Sequence, residues 1–558
     1  MNSPVVTPSL DVTLFRRPPD QVMKLDRMGS THPTRLSFLR QLLRRIKAEG
    51  WRFDKPLWDI DDKGVGRAIY RAIGPIRTYS LVAFAHELPD EMRSDRVIAT
   101  AWDATFALFD GDPSPEDIDR LEANVPLQEA GRITQRELSL SRANRSVRLF
   151  AHVVERLSQG MQPDPAEIAA VGYLMRTTAV YGAGKFGAAD RSVILDREEI
   201  RGPFQAEMLN VWLIRNFCTD LVEHLAVAKG GSRAVRLDRD TRRTLGVGNS
   251  TGLGMAPFLV RHPVLLNNWM LAREEALARV RAQTDADPVC IQGLHDALAD
   301  ARRNAALWRS EHPIQICKLA DLRADLNLIG EKLNYWPQQG THPWDDLWRW
   351  GEASLTLEGQ EALLALILEP HAKLIDDLGD TMSADESIAA CIDGAMTVGN
   401  LRRAICDHFQ WALDIDFADP ANSARFWYVS EEKLEPRLGF RHCDDGAALE
   451  QPLGIARLVS ELQEALEQLD EDTPIATFLM RCPQYRYAVR RVQIAIDHPF
   501  SEVRDNLIKA DMLPIDLMRC KLAFFGASRF DPRSDKWVRI SLFQDLPYPD
   551  EFSDRNAP

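Results

Sequence analysis

Apolar positions fall into two rhythms along this chain, and the change from one to the other sets its predicted organisation. From Pro33 to Glu49, Leu36, Leu39, Leu42, Leu43 and Ile46 recur at helical spacing among basic residues, which predicts a basic amphipathic helix. Arg67 to Ala72, Thr78 to His86 and Arg96 to Phe109 are instead rich in β-branched and aromatic residues with partial alternation. Gly74-Pro75 and the Leu88 to Ser94 region separate them, so the expectation is a small antiparallel sheet. Asp112-Pro113-Ser114-Pro115 ends it and caps a helix, with Pro115 in the first turn and Glu116 and Asp117 at the positive helix end.

Helical periods dominate from there. Ile133 to Ser158 reads as one long helix, Pro165 to Met175 as a shorter one, and Phe204 to Lys229 as a periodic helix stopped by Gly230-Gly231. Pro263 to Gln283, Val289 to Arg309, Leu357 to Leu378, Ala384 to Leu413, Leu453 to Leu469, Ile475 to Met480 and Ser501 to Ala510 follow. Arg425 to Val429 and Trp537 to Phe543 are extended pieces suited to a second small C-terminal sheet, and the polar tail after Pro547 reads as frayed. The predicted fold class is therefore mainly α: a multi-helix core with a small N-terminal antiparallel sheet and a second small C-terminal one. Three domains are expected: 1–125 with the basic helix and small sheet, 126–350 with the glycine-rich segments, and 351–558 with an acidic face.

Composition narrows the function classes. The 558 residues are 45% hydrophobic and 27% charged, which excludes disorder as the state of the whole chain, and the formal charge of −14 argues against a general nucleic-acid binder. Eight cysteines, at 218, 290, 317, 391, 406, 443, 482 and 520, show no Cys-x-x-Cys spacing and no disulfide framework. Nine Lys/Arg against four Asp/Glu occupy the first fifty residues without a signal-peptide core, and apolar runs such as Ala362 to Leu368 are far shorter than the ~20 residues of a membrane span. A cytoplasmic protein that engages neither membrane nor nucleic acid is the expectation. Residues 351–400 hold ten Asp/Glu and one Lys. They read as a solvated acidic face or as a partner for the basic N-terminal helix, in this chain or another.

Two glycine-rich segments carry the candidate chemistry. The first is Tyr181-Gly182-Ala183-Gly184-Lys185-Phe186-Gly187, flanked by Arg176 and Arg191. Its glycines bring backbone N–H groups near an ammonium, a combination suited to phosphate or carboxylate. It resembles a phosphate-binding P-loop, yet Ala179 stands at the first glycine of that pattern and Phe186 replaces the magnesium-holding Ser/Thr. ATP hydrolysis is not supported. The second is Gly246-Val247-Gly248-Asn249-Ser250-Thr251-Gly252-Leu253-Gly254-Met255-Ala256-Pro257, then Arg261-His262-Pro263 opening a helix that carries Asn267 and Asn268. A glycine loop with an amide and two hydroxyls, beside a helix start, is a way of building an anion pocket. Arginines 233, 236, 239, 242 and 243 add positive potential upstream. Gly248-Asn249-Ser250 and Met255-Ala256-Pro257 resemble parts of the signature of the fumarase/aspartase superfamily, which implies a catalytic serine in a mostly helical protein. The likeness covers about a dozen residues, its spacing differs, and Arg261 and His262-Pro263 replace the family's lysine and Asn-Pro.

The residues of both segments suggest an enzyme acting on a small anionic metabolite, a lyase or hydrolase without nucleotide cofactor or metal. Lys185, Ser250 and His262 are the candidate catalytic residues, and Arg176, Tyr181, Asn249, Thr251, Arg261 and Asn268 the candidate substrate contacts. Self-association into a homo-oligomer stays open. The alternative is a non-catalytic helical interaction protein docking through the acidic 351–400 face. A third reading, an RNA-modifying factor using Tyr485-Arg486-Tyr487 with Arg490 and Arg491, sits poorly with the acidic charge. Asp220, Glu223 and His224 on one helix, His152 with Glu155, and Glu198-Glu199 with Arg201 are further acid–base or metal candidates, each also readable as an ordinary polar face. Arg441-His442-Cys443 lacks a visible partner.

Overall fold

The computed structural model describes residues 12–92, 101–124, 134–177, 194, 196–252, 262–310, 312–336, 341–382, 391–418, 427–430, 436–438, 447–449, 451–504, 514–527, 529–531 and 537–553. The chain divides into two compact units, each discontinuous in sequence. A sheet unit takes Ser37–Met255 and Phe524–Pro558, and a helical unit takes Met1–Leu36 and Ala256–Ala523.

Among the described residues the sheet unit is built on nine strands, which corrects the expectation of a small sheet. They are β1 (Arg52–Ile60), β2 (Gly66–Ile73), β3 (Thr78–Ala85), β4 (Ala104–Asp110), β5 (Glu137–Arg145), β6 (Tyr173–Thr177), β7 (Gly246–Gly252), and the late β11 (Arg529–Asp531) and β12 (Trp537–Leu542). Their order is β1-β2-β3-β4-β5-β6-β7-β12-β11. β6 and β7 run parallel, while the other described pairings of this sheet are antiparallel. Three expected elements change with it. Ile133 to Ser158 is not one helix but β5 followed by a helix at Leu149–Ser158; Pro165 to Met175 is a helix to Val171 followed by β6; and Trp537 to Phe543 joins the main sheet as β12.

Both faces of the sheet are covered, which explains why its strands do not alternate cleanly in sequence. On one face Ile69, Val82, Phe84, Ala107, Phe109 and Leu140 pack with Leu121 of a helix at Pro115–Asn124. That helix begins as expected, with Pro115 first and Ser114 and Asp117 exchanging side-chain and backbone hydrogen bonds at 3.1 and 3.2 Å. On the other face lies a 26-residue helix, Gln205–Gly230, here the crossover helix. Phe217 meets Phe106 and Tyr70 edge-on, and Asn210 donates to the hydroxyls of Ser139 and Ser141 at 3.1 and 3.3 Å. The crossover helix stops where Gly231 takes a positive φ (56°), as its Gly230-Gly231 pair predicts.

The helical unit contains α-helices at Pro263–Arg281, Pro288–Leu307, Pro313–Leu333, Pro343–Ser354, Leu357–Leu368, Val398–Leu413, Gln451–Glu467, Ile475–Arg481 and Arg486–Asp497, and strands β8 (Trp427–Ser430), β9 (Pro436–Leu438) and β10 (Ala447–Leu449), which among the described residues form a sheet of order β10-β8-β9. Its N-terminal residues are fastened by buried charge. Arg17 grips Glu274 through two bonds of 2.7 Å and reaches Glu361 at 2.9 Å; Arg27 also donates to Glu361 at 2.9 Å and to Gln360 at 3.0 Å, and Arg273 bonds both glutamates. Desolvation brings the Arg27 and Arg273 pKa values down to about 10. Beside them Arg519 holds Glu358 at 2.6 and 2.7 Å, and His32 lies 3.3 Å from the same carboxylate. Arg35 pairs with Asp376 at 2.6 Å. The acidic 351–400 block is therefore not simply a solvated face: Glu358, Glu361 and Asp376 are partners of arginines, three of which come from the chain's own N-terminal residues.

Two consequences can be measured. A Cβ on Gly248 would lie 2.5 Å from the Tyr173 ring, so Gly248→Ala should cost about 2–3 kcal/mol by overpacking. A urea midpoint that does not move would show that this contact is slack. Burial raises the Glu358 pKa, but Arg519 and His32 outweigh it and hold the carboxyl at about 2. The unfolded carboxyl takes its proton near 4.5 and the folded one resists, so this stability is complete above that pH and is lost towards 2. Between pH 6 and 3 the wild type should lose about 2 kcal/mol more than Glu358→Gln. Parallel pH profiles of the two proteins would contradict the assignment.

Candidate functional site

The parallel pair β6/β7 is the place where sequence expectation and architecture meet. A parallel neighbour requires a crossover, and the crossover helix supplies it between Thr177 and Gly246. Because the strands run the same way, the segment after β6 and the segment after β7 leave from the same edge of the sheet. Those segments are 178–193, with Tyr181 and Lys185, and 253–261, with Arg261; all three residues lie outside the described ones.

Gly246–Gly252 is a strand, not a loop, and that is a correction. At Gly246 an added Cβ would fall 2.2 Å from the Ser541 hydroxyl and 2.5 Å from the Leu542 carbonyl oxygen, and Gly248 lies under the Tyr173 ring. Close approach of neighbouring strands accounts for both glycines, without a ligand. Asn249, Ser250 and Thr251 continue the strand opposite Ile540, Arg539 and Val538 of β12. Arg176 on β6 is half-buried, with Asn144 of β5 and Gly248 of β7 as its register partners. The strands thus bring Arg176 and the Asn249–Thr251 run onto adjacent chains. His262 and Asn268 belong to the helical unit. His262 precedes the helix that Pro263 opens, as expected, and its carbonyl accepts from Leu266 at 2.8 Å. Asn268 accepts from Asn267, whose own amide oxygen receives the Phe500 N–H at 3.0 Å.

The other candidates resolve into structural partnerships. Asp220 accepts from Tyr70 at 2.7 Å and Lys55 at 2.8 Å, while Lys55 lies 4.5 Å from the centre of the Trp58 ring. His224 Nε2 faces the Asp61 carbonyl at 2.9 Å and Nδ1 accepts the Trp58 indole N–H at 3.4 Å, so both ring nitrogens are engaged. Glu223 accepts from the Leu237 N–H. Among the described residues, no three His, Cys, Asp or Glu side chains gather as a metal site. Glu199 is buried, accepting from the backbone of Ile76 and Arg77 at 2.9 and 3.1 Å and from the Tyr79 hydroxyl at 2.7 Å; it closes the β2–β3 turn. His152 accepts the Asp164 N–H at 3.3 Å, and Glu155 pairs with Lys229. Arg491, offered for base stacking, is buried against Glu502. Arg441, His442 and Cys443 lie outside the described residues. The seven described cysteines are free of disulfides, and burial raises the Cys520 pKa to about 12, too high for a resting thiolate. No helix among the described residues is long and apolar enough to cross a membrane.

One constellation has no counterpart in the sequence reading. The tail after Pro547 is not frayed up to Ser553: Tyr548 is buried, its ring between Arg215 at 3.8 Å and Arg242 at 3.9 Å. Glu551 binds Arg239 and Arg243, and Asp550 binds Arg242. Burial raises the Glu551 pKa, but Arg243, the Tyr548 N–H and Arg239 outweigh it and hold the carboxyl at about 2. The only signal in the sequence is a Pro-Tyr-Pro-Asp-Glu run complementary to the arginines at 239, 242 and 243.

No protein-family profile, curated protein or solved structure matches the chain.

Proposed function

We propose that the sheet unit binds a small carboxylate- or phosphate-bearing metabolite at the carboxyl ends of β6 and β7, and acts on it as a lyase or hydrolase without a nucleotide cofactor. One observation supports this reading above the others: β6 and β7 end on the same edge of the sheet, with Arg176 one residue before the end of β6, Asn249-Ser250-Thr251 in the last residues of β7, and the glycine-rich stretch 178–193 that carries Lys185 following β6. Crevices outside the carboxyl ends of parallel strands are where open α/β sheets take their ligands, because strand ends and a crossover leave polar backbone and variable segments there. In this reading Arg176 and Lys185 attract the anion, Asn249 and Thr251 orient it, and Ser250 serves the reacting group. The proposal is confined to the sheet unit, so His262, Arg261 and Asn268 have no part in it. The competing interaction-protein reading loses support, because Glu358, Glu361 and Asp376 of its acidic face already pair with arginines of this chain.

A thermal-shift screen of small carboxylates and phosphorylated metabolites tests the proposal, since a ligand that prefers the folded state raises Tm. Lys185→Ala and Arg176→Ala should each weaken a stabilising anion by about 1.5–3 kcal/mol, the scale of a charged hydrogen bond. Ser250→Ala should reduce turnover of that ligand while leaving its binding nearly unchanged. A hit that stabilises wild type, Lys185→Ala and Arg176→Ala equally places the site elsewhere.

A further inference from the structure

The C-terminal residues of the sheet unit behave as a ligand of their own unit. Arg215 donates to the carbonyls of Leu245 at 2.7 Å, Leu546 at 2.8 Å and Arg243 at 3.0 Å, which joins the crossover helix, the arginine helix Arg239–Arg243 and the C-terminal arm. The Trp212 indole donates to the Pro547 carbonyl at 2.9 Å, and its ring meets Phe552 edge-on at 5.6 Å. The Tyr548 hydroxyl donates to backbone carbonyls at Arg242 and Leu245 (3.1 and 3.3 Å) and lies 3.2 Å from the Thr219 hydroxyl. Asp550 and Glu551 cover the arginines beside it. An aromatic anchor between two guanidinium planes, with carboxylates at its rim, is how a groove recognises a short acidic peptide.

The hinge that seats this arm is strained. β12 ends at Leu542, and the chain turns into the groove through Phe543 at φ 62° and Asp545 at φ 61°, two non-glycine residues in the left-handed region. Asp545 is also held by its N–H to the Arg243 carbonyl at 2.8 Å. Releasing the hinge removes the strain, but it uncovers Trp212, Arg215 and Arg242 unless an identical segment replaces the arm. A second copy of the chain carries that segment, and exchange preserves the anchors from Leu546 to Phe552 while giving up the Asp545 N–H bond as the hinge extends.

We propose that the arm beginning at Asp545 is exchangeable, docking in the groove of Trp212, Arg215, Arg242 and Arg243 of a second copy to form an arm-swapped dimer. Position 545 tests it in both directions with the full-length chain. Asp545→Gly accepts a positive φ without strain and should stay monomeric. Asp545→Pro, whose ring fixes φ near −65° and which lacks the N–H, cannot close the hinge and should shift the population to dimer. Light scattering after size exclusion, over about a hundred-fold range of concentration, reads the outcome by mass action. Adding Tyr548→Ala to the proline variant should abolish the dimer. A folded, monomeric Asp545→Pro protein overturns the proposal, as does a dimer indifferent to Tyr548→Ala, which would place the interface elsewhere. Should the proline variant fail to fold, wild type against Asp545→Gly decides: a higher dimer fraction in wild type supports exchange, and identical monomers at every concentration refute it.

Discussion

Parallel pairing of β6 with β7 is the constraint on which the sheet unit rests. Antiparallel neighbours can be joined by a tight turn, but a parallel neighbour demands a connection long enough to carry the chain back along the sheet. Here the connection includes the 26-residue crossover helix. Once that helix lies on the sheet, one face of β2 to β5 is closed by Phe217, Asn210 and their neighbours, and the opposite face needs its own cover at Leu121. Ser139 and Ser141 point into the helix-covered face and are tolerable because the Asn210 amide satisfies both hydroxyls. The same parallel pairing ends Arg176 of β6 and the Asn249–Thr251 run of β7 at one edge of the sheet, so the candidate site and the core have a common origin.

Electrostatics fasten the helical unit in a different way. Arg17, Arg27 and Arg273 face Glu274 and Glu361 away from water, and Arg519 faces Glu358. Buried pairs of this kind add little net stability over apolar side chains of equal size, yet breaking one leaves a charge stranded in a poor solvent. Their effect is specification. The segment from Arg17 to Arg27 can dock only where two carboxylates stand ready, and the multidentate hydrogen bonds fix its register more tightly than apolar contacts would.

The sequence is legible where local chemistry acts alone. Ser114, Pro115 and Asp117 announce a helix start, Pro263 another, and Gly230-Gly231 a helix end, because each is decided within a few residues. It is opaque where the deciding partner is distant. Leu138 and Leu140 alternate with Ser139 and Ser141 in β5 as in a strand with one wet face, but that polar face is buried by Asn210, a partner distant in sequence. Gly246 and Gly248 imitate a ligand-binding loop because the neighbours that exclude a Cβ are Ser541, Leu542 and Tyr173, far away in sequence. Of the candidate site, sequence reading reached Arg176 and Asn249–Thr251 as polar neighbours but could not foresee that adjacent strands would carry them.

The crossover helix also explains why the C-terminal arm belongs to the fold. Asn210, Phe217 and Asp220 lie on its sheet-facing side, whereas Trp212, Arg215 and Thr219 lie roughly opposite, by the geometry of 3.6 residues per turn. A helix resting on a sheet normally presents a polar back to water. This one presents an indole and a guanidinium that are both buried: Phe53 of β1 meets the indole edge-on, the Leu245 and Arg243 carbonyls accept from the guanidinium, and Pro547, Tyr548 and Phe552, from late in the sequence, complete the cover. A helix buried on two opposite sides loses its amphipathic stripe, so its sequence shows apolar residues nearly all round. The burial of residues 205–215 on every side, in a segment whose sequence reads as a periodic helix, is thus the imprint of two covers, a sheet and an arm.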